Sequence, residues 1–480
     1  MMVFDNYKVE SPSECKLDLF NEDNNCGFQI EESNQCFYFI NEYTRMVNEQ
    51  DVNVYNALQI LIVYILQNYL HIDPSIYLKT GFLSQIISCL KSPNLRYLTF
   101  FDDICKVIEL LTKNQMICEF LIKRCYDINV IDICAELIKD EPNVRISQHY
   151  LTIIINLLPT FFKFGHEETE LYLDSISYSS SYFNLIKFVT RVICEAKDIF
   201  RPKAYLDILY GSIEKVDVNE ALLSYVFLCF YYLTKKDMTH NDIMLIEDKM
   251  LFKYVIEYLD PKDENFLTYI NSTKVMEPLF QYFDIVFSYE NYNHVYYYEI
   301  LFEYMNLSFF IHIIEKSTNS LIKKKCLNCI FLEITKEGLN NFVEVRDFLK
   351  DPNLFPFFAR ILKNGSFQER YLAFLIIMQK IKKSEKSAIA SIYQLNIMDD
   401  VYDLIYYETG KSVLFYYILL LCLDEQNKGI EVACKIKDLC VVEEVENALM
   451  SESISDASKE YITDKLAKLE NLMISVLKKA

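Results

Sequence analysis

The amino-acid sequence predicts an all-α protein, and three observations lead to this prediction. The chain has 480 residues, of which 8 are Gly and 10 are Pro, whereas an average usage of ~7% would give about 34 Gly. A chain so poor in turn formers cannot easily supply the tight turns of a β-sandwich, barrel or propeller. From about Phe37 onward, apolar residues recur at three- and four-residue spacing, the period of an amphipathic helix. The length exceeds the ~100–200 residues of one ordinary domain, so several domains or a repeat array are required.

Residues 1–35 differ in composition from the rest of the chain. They contain eight carboxylates and two lysines, a net charge of −6, with frequent Asn and Ser and weak apolar periodicity. Such a composition does not bury enough apolar surface to fold. We therefore predict an acidic, poorly ordered N-terminal arm over 1–35 and helical structure from residue 36 onward.

The first helices are marked by apolar stripes and by the breakers between them. One stripe has six residues at helical spacing: Leu58, Leu61, Ile62, Ile65, Leu66 and Tyr69. Two more stripes, within 86–90 and 104–111, are separated by the breaker 91–94. Asp-Pro pairs suit an N-cap followed by the first helical position, so three of them predict helix starts, at Asp73, Asp260 and Asp351.

The helices recur in pairs of similar sequence. Four segments each contain an apolar helix, a short turn with Lys and other polar residues, and a second apolar helix: 82–111, 130–158, 309–334 and 354–381. The turn residues Lys91 and Lys139 are 48 positions apart, and Lys316 and Lys363 are 47 apart. One helix pair cannot bury its apolar face alone, but stacked pairs form a continuous core. The self-similarity therefore predicts a helical repeat array.

In period and layout the chain resembles the armadillo/HEAT class of helical repeat proteins. In the closest unit, 130–158, Lys139–Arg145 is similar to a HEAT-type turn, and Leu151–Leu158 is similar to the long third helix of an armadillo repeat. The resemblance implies an all-α, right-handed α-solenoid that forms one domain over 36–480, with repeat boundaries left open between 160 and 300. The last helix, near 459–479, has one apolar face and is expected to cap the solenoid, the alternative being a coiled-coil partner helix.

One polar residue interrupts the apolar run near the end of each second helix: Glu109, Asn156, Glu333 and Gln379. In armadillo proteins the matching third-helix position often carries Asn, and these residues form a ladder along a concave groove. The resemblance implies that the four residues, which we call the polar ladder, line a groove and bind an extended partner segment. The alternative is an ordinary exposed helix position. If the groove binds partners, replacing Glu109 and Glu333 by Lys is expected to weaken binding without lowering the melting temperature.

Tyrosine offers a second candidate surface. The chain has 36 Tyr, 34 Phe and no Trp, and four tyrosines surround His294: Tyr292, Tyr296, Tyr297 and Tyr298. Half-exposed Tyr residues are effective interface anchors, so this group is a candidate protein interface, with filling of the inter-helix core as the alternative. The importin-α branch of the armadillo families uses Trp to clamp lysine stems. The lack of Trp therefore argues against binding of nuclear localisation signals.

Several kinds of chemistry are disfavoured by the residues present. The Gly residues are never closer than 19 positions apart, so no Gly-rich phosphate-binding loop or nucleophile elbow exists. The only CxxC, Cys326–Cys329, lacks the second ligand pair of a zinc site, so we interpret it as two thiols inside a helix. We expect no metal, no cofactor and no enzymatic activity.

The charge balance indicates which partners are favoured. The net charge is −20, which repels phosphate backbones and attracts basic proteins; the alternative role of this charge is to keep an apolar protein soluble. The start of the chain lacks a signal-peptide pattern, and the longest apolar runs, 13 and 11 residues, are too short to span a bilayer. We expect no direct contact with nucleic acid or membrane, and a location in the cytoplasm, with the nucleus as the alternative.

These observations favour a non-catalytic scaffold or adaptor that binds partner proteins, with basic or extended segments, along a concave groove. Within the resemblance, a transport-receptor or phosphatase-regulatory subunit is the alternative. An enzyme with an unrecognised site is the hypothesis from another class, and it predicts a compact pocket in which titratable groups converge. The partner, the pathway and the oligomeric state stay open.

Overall fold

The computed structural model describes residues 30–92, 95–97, 99–124, 129–141, 143–166, 169–179, 181–196, 202–235, 259, 265–288, 307–335, 347–348, 351, 353–383, 393–404, 410–421, 428–449 and 456–478. Within these ranges the secondary structure is helical and no strand is present, which confirms the all-α prediction. The chain divides into two compact units, Met1–Val216 and Asp217–Ala480, which we call unit 1 and unit 2. The right-handed solenoid over 36–480 and the armadillo/HEAT repeat type stay predictions.

The helices of unit 1 are α1 (Ile30–Glu49), α2 (Val54–Asn68), α3 (Ser75–Lys79), α4 (Phe82–Lys91), α5 (Phe101–Leu111), α6 (Gln115–Arg124), α7 (Val130–Asp140), α8 (Val144–Lys163), α9 (Glu170–Ile176), α10 (Tyr182–Glu195) and α11 (Pro202–Ile213). They pack in two rows. In one row α2 contacts α5, α5 contacts α8 and α8 contacts α10; in the other, α1 contacts α3, α4 contacts α7 and α7 contacts α9. The pairs α1–α2, α4–α5 and α7–α8 connect the rows. Within each row, neighbouring helices cover one another's apolar faces, an arrangement compatible with a helical repeat protein.

The helices of unit 2 are α12 (Glu220–Lys235), α13 (Phe266–Asn271), α14 (Thr273–Ser288), α15 (Leu307–Lys316), α16 (Ser320–Thr335), α17 (Leu354–Asn364), α18 (Phe367–Lys383), α19 (Met398–Tyr402), α20 (Gly410–Leu421), α21 (Lys428–Asp438), α22 (Val441–Leu449) and α23 (Asp456–Leu477). One row runs through the unit, because α12, α14, α16, α18, α20 and α23 each contact the next. The first helices α13, α15 and α17 pack on α14, α16 and α18.

Long-range hydrogen bonds connect helices in both units. One group joins residues that lie 40 to 52 positions apart, close to the spacing of the turn lysines, and other bonds join residues 30 to 36 positions apart. The backbone N–H of Asp73 donates to Ser33 Oγ at 3.0 Å, and Ser317 Oγ donates to Asn271 Oδ1 at 2.9 Å. Because both units contain such bonds, each repeat is connected to the next by polar contacts as well as by apolar packing.

The long helix α8 has well-defined ends. At its start, Asn143 Oδ1 accepts from the N–H groups of Arg145 at 3.0 Å and Ile146 at 3.4 Å, which caps two otherwise unpaired donors. At its end, Gly165 has a positive φ of 79°, and the next N–H, of His166, donates to Phe161 O at 3.3 Å. This is a Schellman motif, which requires a left-handed residue that Gly adopts without strain.

Two predicted boundaries can be compared with the structure. Helix α1 begins at Ile30, so residues 30–35 are helical and do not belong to the predicted arm, while residues 1–29 lie outside the described residues. Two of the three Asp-Pro helix starts are confirmed: Asp73 Oδ1 accepts from the N–H of Ser75 at 2.9 Å, immediately at the start of α3, and Asp351 Oδ1 accepts from the N–H of Asn353 at 2.9 Å, before α17. The pair at Asp260 lies outside the described residues.

The last helix, α23, contacts α20, α21 and α22. It buries Ile462, Leu466 and Leu469, whereas Ile474 and Leu477 near its end are exposed. The buried face fits the predicted cap, and the exposed pair is the part that a coiled-coil partner would cover.

Candidate functional site

The structure brings two members of the polar ladder together in unit 1. Glu109 lies near the end of α5 and Asn156 lies on α8, the next helix of the row. Asn156 Nδ2 donates to the backbone oxygen of Glu109 at 3.3 Å and to Thr112 Oγ1 at 3.2 Å. Both residues are half-buried. The two residues therefore lie side by side, but the side chain of Asn156 bonds to the protein itself.

The carboxylate of Glu109 is engaged by His149 on α8. His149 Nδ1 is 2.6 Å from Glu109 Oε2, and since a carboxylate accepts and does not donate, we assign the Nδ1–H as the donor. His149 Nε2 is 3.3 Å from Asp102 Oδ1, an ion-pair distance without hydrogen-bond alignment. The other oxygen, Asp102 Oδ2, pairs with Arg145 Nη2 at 3.2 Å. With His149 only 9% exposed, this cluster, which we call the His149 bridge, joins α5 to α8 inside the row.

The His149 bridge has no local motif in the sequence, because His149 and Glu109 are 40 positions apart. The available signal was the repeat period itself, because residues one repeat apart on adjacent helices of a row lie side by side.

A second Asn repeats the geometry of Asn156 one step further along the row. Asn184 on α10 donates to the backbone oxygen of Gln148 at 3.5 Å and to Thr152 Oγ1 at 3.2 Å. In both places an Asn amide bonds to a backbone oxygen and to a Thr hydroxyl of the preceding helix in the row. Such side-chain bonds satisfy buried polar groups and fix the register of packed helices.

An exposed ion pair connects α8 to α6 near the end of α8. Lys163 Nζ donates to Glu119 Oε1 at 2.9 Å, and Gln115 Nε2 donates to the same oxygen at 3.2 Å. The hydrogen bond from Lys163 lowers the pKa of Glu119 below its ordinary value. Because the pair is exposed, it contributes little to stability.

Glu333 corrects the prediction for unit 2. It lies on α16 and is 1% exposed, so it cannot contact a partner in a groove. Its Oε2 has no hydrogen-bond partner among the described residues. Burial raises the pKa of Glu333 well above its ordinary value, because transfer of a carboxylate out of water disfavours its charged form. In contrast to the expectation from the sequence, Glu333→Lys is therefore expected to lower the melting temperature, because it places a longer, charged side chain in a buried position.

Gln379, the fourth member of the ladder, is half-buried on α18, the neighbour of α16. Beside it, Lys380 is buried and its Nζ donates to the backbone oxygens of Phe348, at 3.2 Å, and Asp351. The same Nζ lies 4.7 Å from the centroid of the Phe355 ring. Burial lowers the pKa of Lys380 to about 8. Sequence reasoning missed this cation, because a lysine at the end of a helix usually faces solvent.

The remaining predicted sites involve tyrosines and cysteines. Tyr292, Tyr296, Tyr297 and Tyr298 lie outside the described residues. The CxxC lies inside α16, with both thiols buried and their pKa values raised by burial, which agrees with the interpretation of two thiols in a helix. In the part of the chain that the structure describes, no group of three or more His, Cys, Asp or Glu side chains has the arrangement of a metal site.

Apolar side chains at the surface are unevenly distributed. Of the 17 exposed large apolar residues in the described ranges, nine lie in the first helix pair and its flanks: Ile30, Phe37, Tyr38, Val47, Val52, Tyr55, Ile60, Val63 and Leu70. The others are scattered over the rest of the chain. Among the described helices, none is long and apolar enough to cross a membrane.

Comparisons with known proteins bear on the fold alone. No protein-family model matches the chain, and no curated protein matches it. Among solved structures, the chain is similar to an engineered protein whose crystal structure comes from the Northeast Structural Genomics Consortium, with a TM-score of 0.54 over 92% of this chain and 99% of that chain. The sequence identity is 9%, so this likeness supports a shared arrangement of helices and carries no information about function.

Proposed function

We propose that the chain is a non-catalytic scaffold that binds partner proteins. The observation that carries this proposal is the concentration of exposed apolar side chains in the α1–α2 pair. Large exposed apolar patches on soluble proteins mark sites of interaction, and the density of exposed apolar residues in this pair supports the proposal that it carries such a patch. Stacked helix pairs provide such a surface on a framework that internal bonds hold in place.

In the proposed groove, the residues that contact the partner are not those of the polar ladder alone. The side chains of Glu109 and Asn156 bond within the protein, and Glu333 is buried. Arg145 and Lys163, near the two ends of α8, are exposed. In this proposal the ladder positions of unit 1 hold the repeats in register, and exposed side chains around them contact the partner.

An enzyme is the competing function, and the His149 bridge is the observation that favours it. An imidazole hydrogen-bonded to a carboxylate is the arrangement of many general bases. However, a general base must reach its substrate, and His149 is enclosed between α5 and α8 with both ring nitrogens facing carboxylates. We therefore assign the bridge to stability and keep the scaffold as the proposed function. The transport-receptor and phosphatase-regulatory alternatives are not favoured by any described residue.

The test is to purify the tagged full-length chain gently from its native cells and to identify co-purifying proteins by mass spectrometry. We expect one or two proteins in stoichiometric amounts, and we expect their recovery to fall when Tyr38 and Ile60 are both replaced by Ser. The matched control replaces Tyr178 and Ile474, an equally exposed Tyr and Ile elsewhere on the chain, by Ser. Recovery of the bare chain would contradict the scaffold.

A further inference from the structure

Unit 2 contains a local region of positive charge in an acidic chain. The four helices α15, α16, α17 and α18 carry ten basic and three acidic residues, a net charge of +7. Because the whole chain has a net charge of −20, all other residues together carry −27. The described helices next to this region along the chain, α14 and α19, have net charges of −1 and −2. The positive charge is therefore confined to two helix pairs.

The three acidic residues of these four helices are buried or already paired. Glu333 is 1% exposed. Glu369 is 6% exposed, and its Oε2 accepts from the backbone N–H of Ser366 at 2.6 Å. Glu315 is exposed, and its Oε1 lies 3.8 Å from Nη2 of Arg360. Most of the positive charge of the four helices is therefore not neutralised by their own carboxylates.

Three lysines beside the turn between α15 and α16 have side chains without an ion-pair or hydrogen-bond partner among the described residues. Lys316 is the last residue of α15 and is exposed, and Lys323 and Lys324 lie near the start of α16 and are half-buried. We call these three residues the lysine patch. Leu321, between them in the chain, is 47% exposed. By contrast, the next lysine, Lys325, pairs with a carboxylate of α14 at 3.2 Å.

The turn that carries the lysine patch is held by hydrogen bonds on both sides. Ser317 Oγ and the backbone N–H of Thr318 donate to Asn271 Oδ1, at the end of α13, at 2.9 Å and 2.8 Å. On the other side, Ser320 Oγ donates to Glu369 Oε1 of α18 at 3.1 Å. Because the turn is already fixed, a ligand that binds there loses little free energy in ordering it.

We propose that the lysine patch binds an acidic segment of a partner protein, whose carboxylates contact the three ammonium groups and whose apolar side chain packs on Leu321. Charges in water act over a Debye length of about 8 Å at physiological ionic strength, so the local positive charge, and not the net charge of the chain, selects the ligand here. The inference goes beyond the proposed function, which rests on the α1–α2 pair.

Two other polyanions fit this region less well. Duplex DNA carries one charge per about 1.7 Å of its axis, so it would extend from the positive helices over acidic neighbours such as α14 and α19. A second copy of the chain also carries −20 and is repelled at long range. Its contact with the lysine patch would be heterologous, and such contacts form open filaments unless they close into a ring. A short acidic segment has neither disadvantage.

The experiment measures binding of a synthetic acidic segment to the full-length chain. The probe is a labelled peptide with Leu at its centre, flanked by blocks of about six Glu residues, as in acidic interaction tails; its counterpart has Gln in place of Glu. By fluorescence anisotropy, we expect the Glu peptide to bind at least about tenfold more tightly than the Gln peptide, and more weakly as salt rises. Replacing Lys316, Lys323 and Lys324 by Gln is expected to raise Kd by about tenfold, since each exposed pair contributes a factor of about two.

The matched control replaces three exposed lysines elsewhere, Lys106, Lys203 and Lys468, by Gln. It changes the net charge equally and should leave Kd unchanged. The inference is overturned if the Glu peptide does not bind, if both peptides bind equally, or if the control variant loses as much affinity.

The other ligands are tested with the same variants. The inference is overturned if a DNA oligonucleotide binds more tightly than the Glu peptide and loses affinity in the lysine-patch variant, because the patch is then a nucleic-acid site. It is also overturned if sedimentation shows self-association that the lysine-patch substitutions abolish, because a second copy is then the ligand. The proposed function stands or falls separately, with the Tyr38 and Ile60 substitutions.

Discussion

The buried carboxyl of Glu333 makes the stability of unit 2 depend on pH. Its raised pKa means that the side chain stays protonated in the folded chain at pH values where the unfolded chain has lost that proton. A group of this kind stabilises the folded state fully below its unfolded pKa, and that contribution is lost as pH rises toward the folded pKa. The loss is about 1.4 kcal/mol for each pH unit in this window.

Glu333→Gln isolates this effect, because an amide has nearly the same shape as a carboxylic acid and does not titrate. Between pH 5 and pH 7, the opening free energy of α16 in the unsubstituted chain should fall relative to the variant, by about 1.4 kcal/mol for each pH unit up to the folded pKa. Hydrogen exchange of α16 amides, compared between the two proteins at the same pH, reports this difference directly. We expect slower exchange in Glu333→Gln at pH 7, by about tenfold for each 1.4 kcal/mol, and a much smaller difference at pH 5.

The control is Glu470→Gln, which alters an exposed carboxylate of α23 in the same unit and should leave α16 exchange unchanged. The reasoning would be refuted by a protection ratio that is the same at both pH values. Faster exchange in Glu333→Gln would refute it too, since it would mean that the ionised carboxylate has a stabilising partner.

Three further predictions concern the contacts between repeats and the ends of helices. In a double-mutant cycle with Glu109→Gln and His149→Ala, the unfolding free energy of unit 1 should show a coupling of about 1–3 kcal/mol; additive effects would show that the His149 bridge contributes nothing. Burial lowers the pKa of Lys380 from 10.5 to about 8, so between pH 8 and pH 10.5 the unfolded chain binds more protons than the folded chain. The unfolding free energy of the unsubstituted chain, relative to that of Lys380→Met, should therefore rise with pH across this interval, as measured by urea titration. Asn143→Ala should lower the opening free energy of α8, measured by hydrogen exchange, by about 1 kcal/mol, and Asn143→Ser should lower it much less. Equal losses in the two variants would exclude a capping role for Asn143.

The helical class and the pairing of helices could be predicted from the sequence, because both follow from local patterns. Apolar spacing and the scarcity of Gly and Pro predict the helices, and the spacing of the turn lysines lies within the 40 to 52 positions that separate the partners in one group of hydrogen bonds between helices. Glu109 and Asn156 lie side by side on α5 and α8, as expected for equivalent positions in successive repeats, and the repeat assignment itself stays a prediction.

The burial and the bonding partners of each polar side chain could not be predicted from these patterns. Glu333 and Gln379 interrupt the apolar run in the same way as Glu109, yet Glu333 is buried while Glu109 finds His149. Burial at the end of a second helix depends on the helices packed around it, which a single helix does not encode. Lys380 was missed on the same grounds, since its partners are backbone oxygens of a preceding segment.

The hydrogen bonds that α8 forms with neighbouring helices also restrict where residues can be inserted or deleted. Residues added to a turn between helices leave the faces of α8 where they are, but one residue inserted inside α8 after Ile146 would rotate everything beyond it by 100°. His149 and Asn156 would then turn away from α5, and Lys163 would turn away from α6, in a single step. Insertions and deletions should therefore accumulate in the turns or come as whole repeats, and the interior of α8 should keep a constant length among descendants of this sequence.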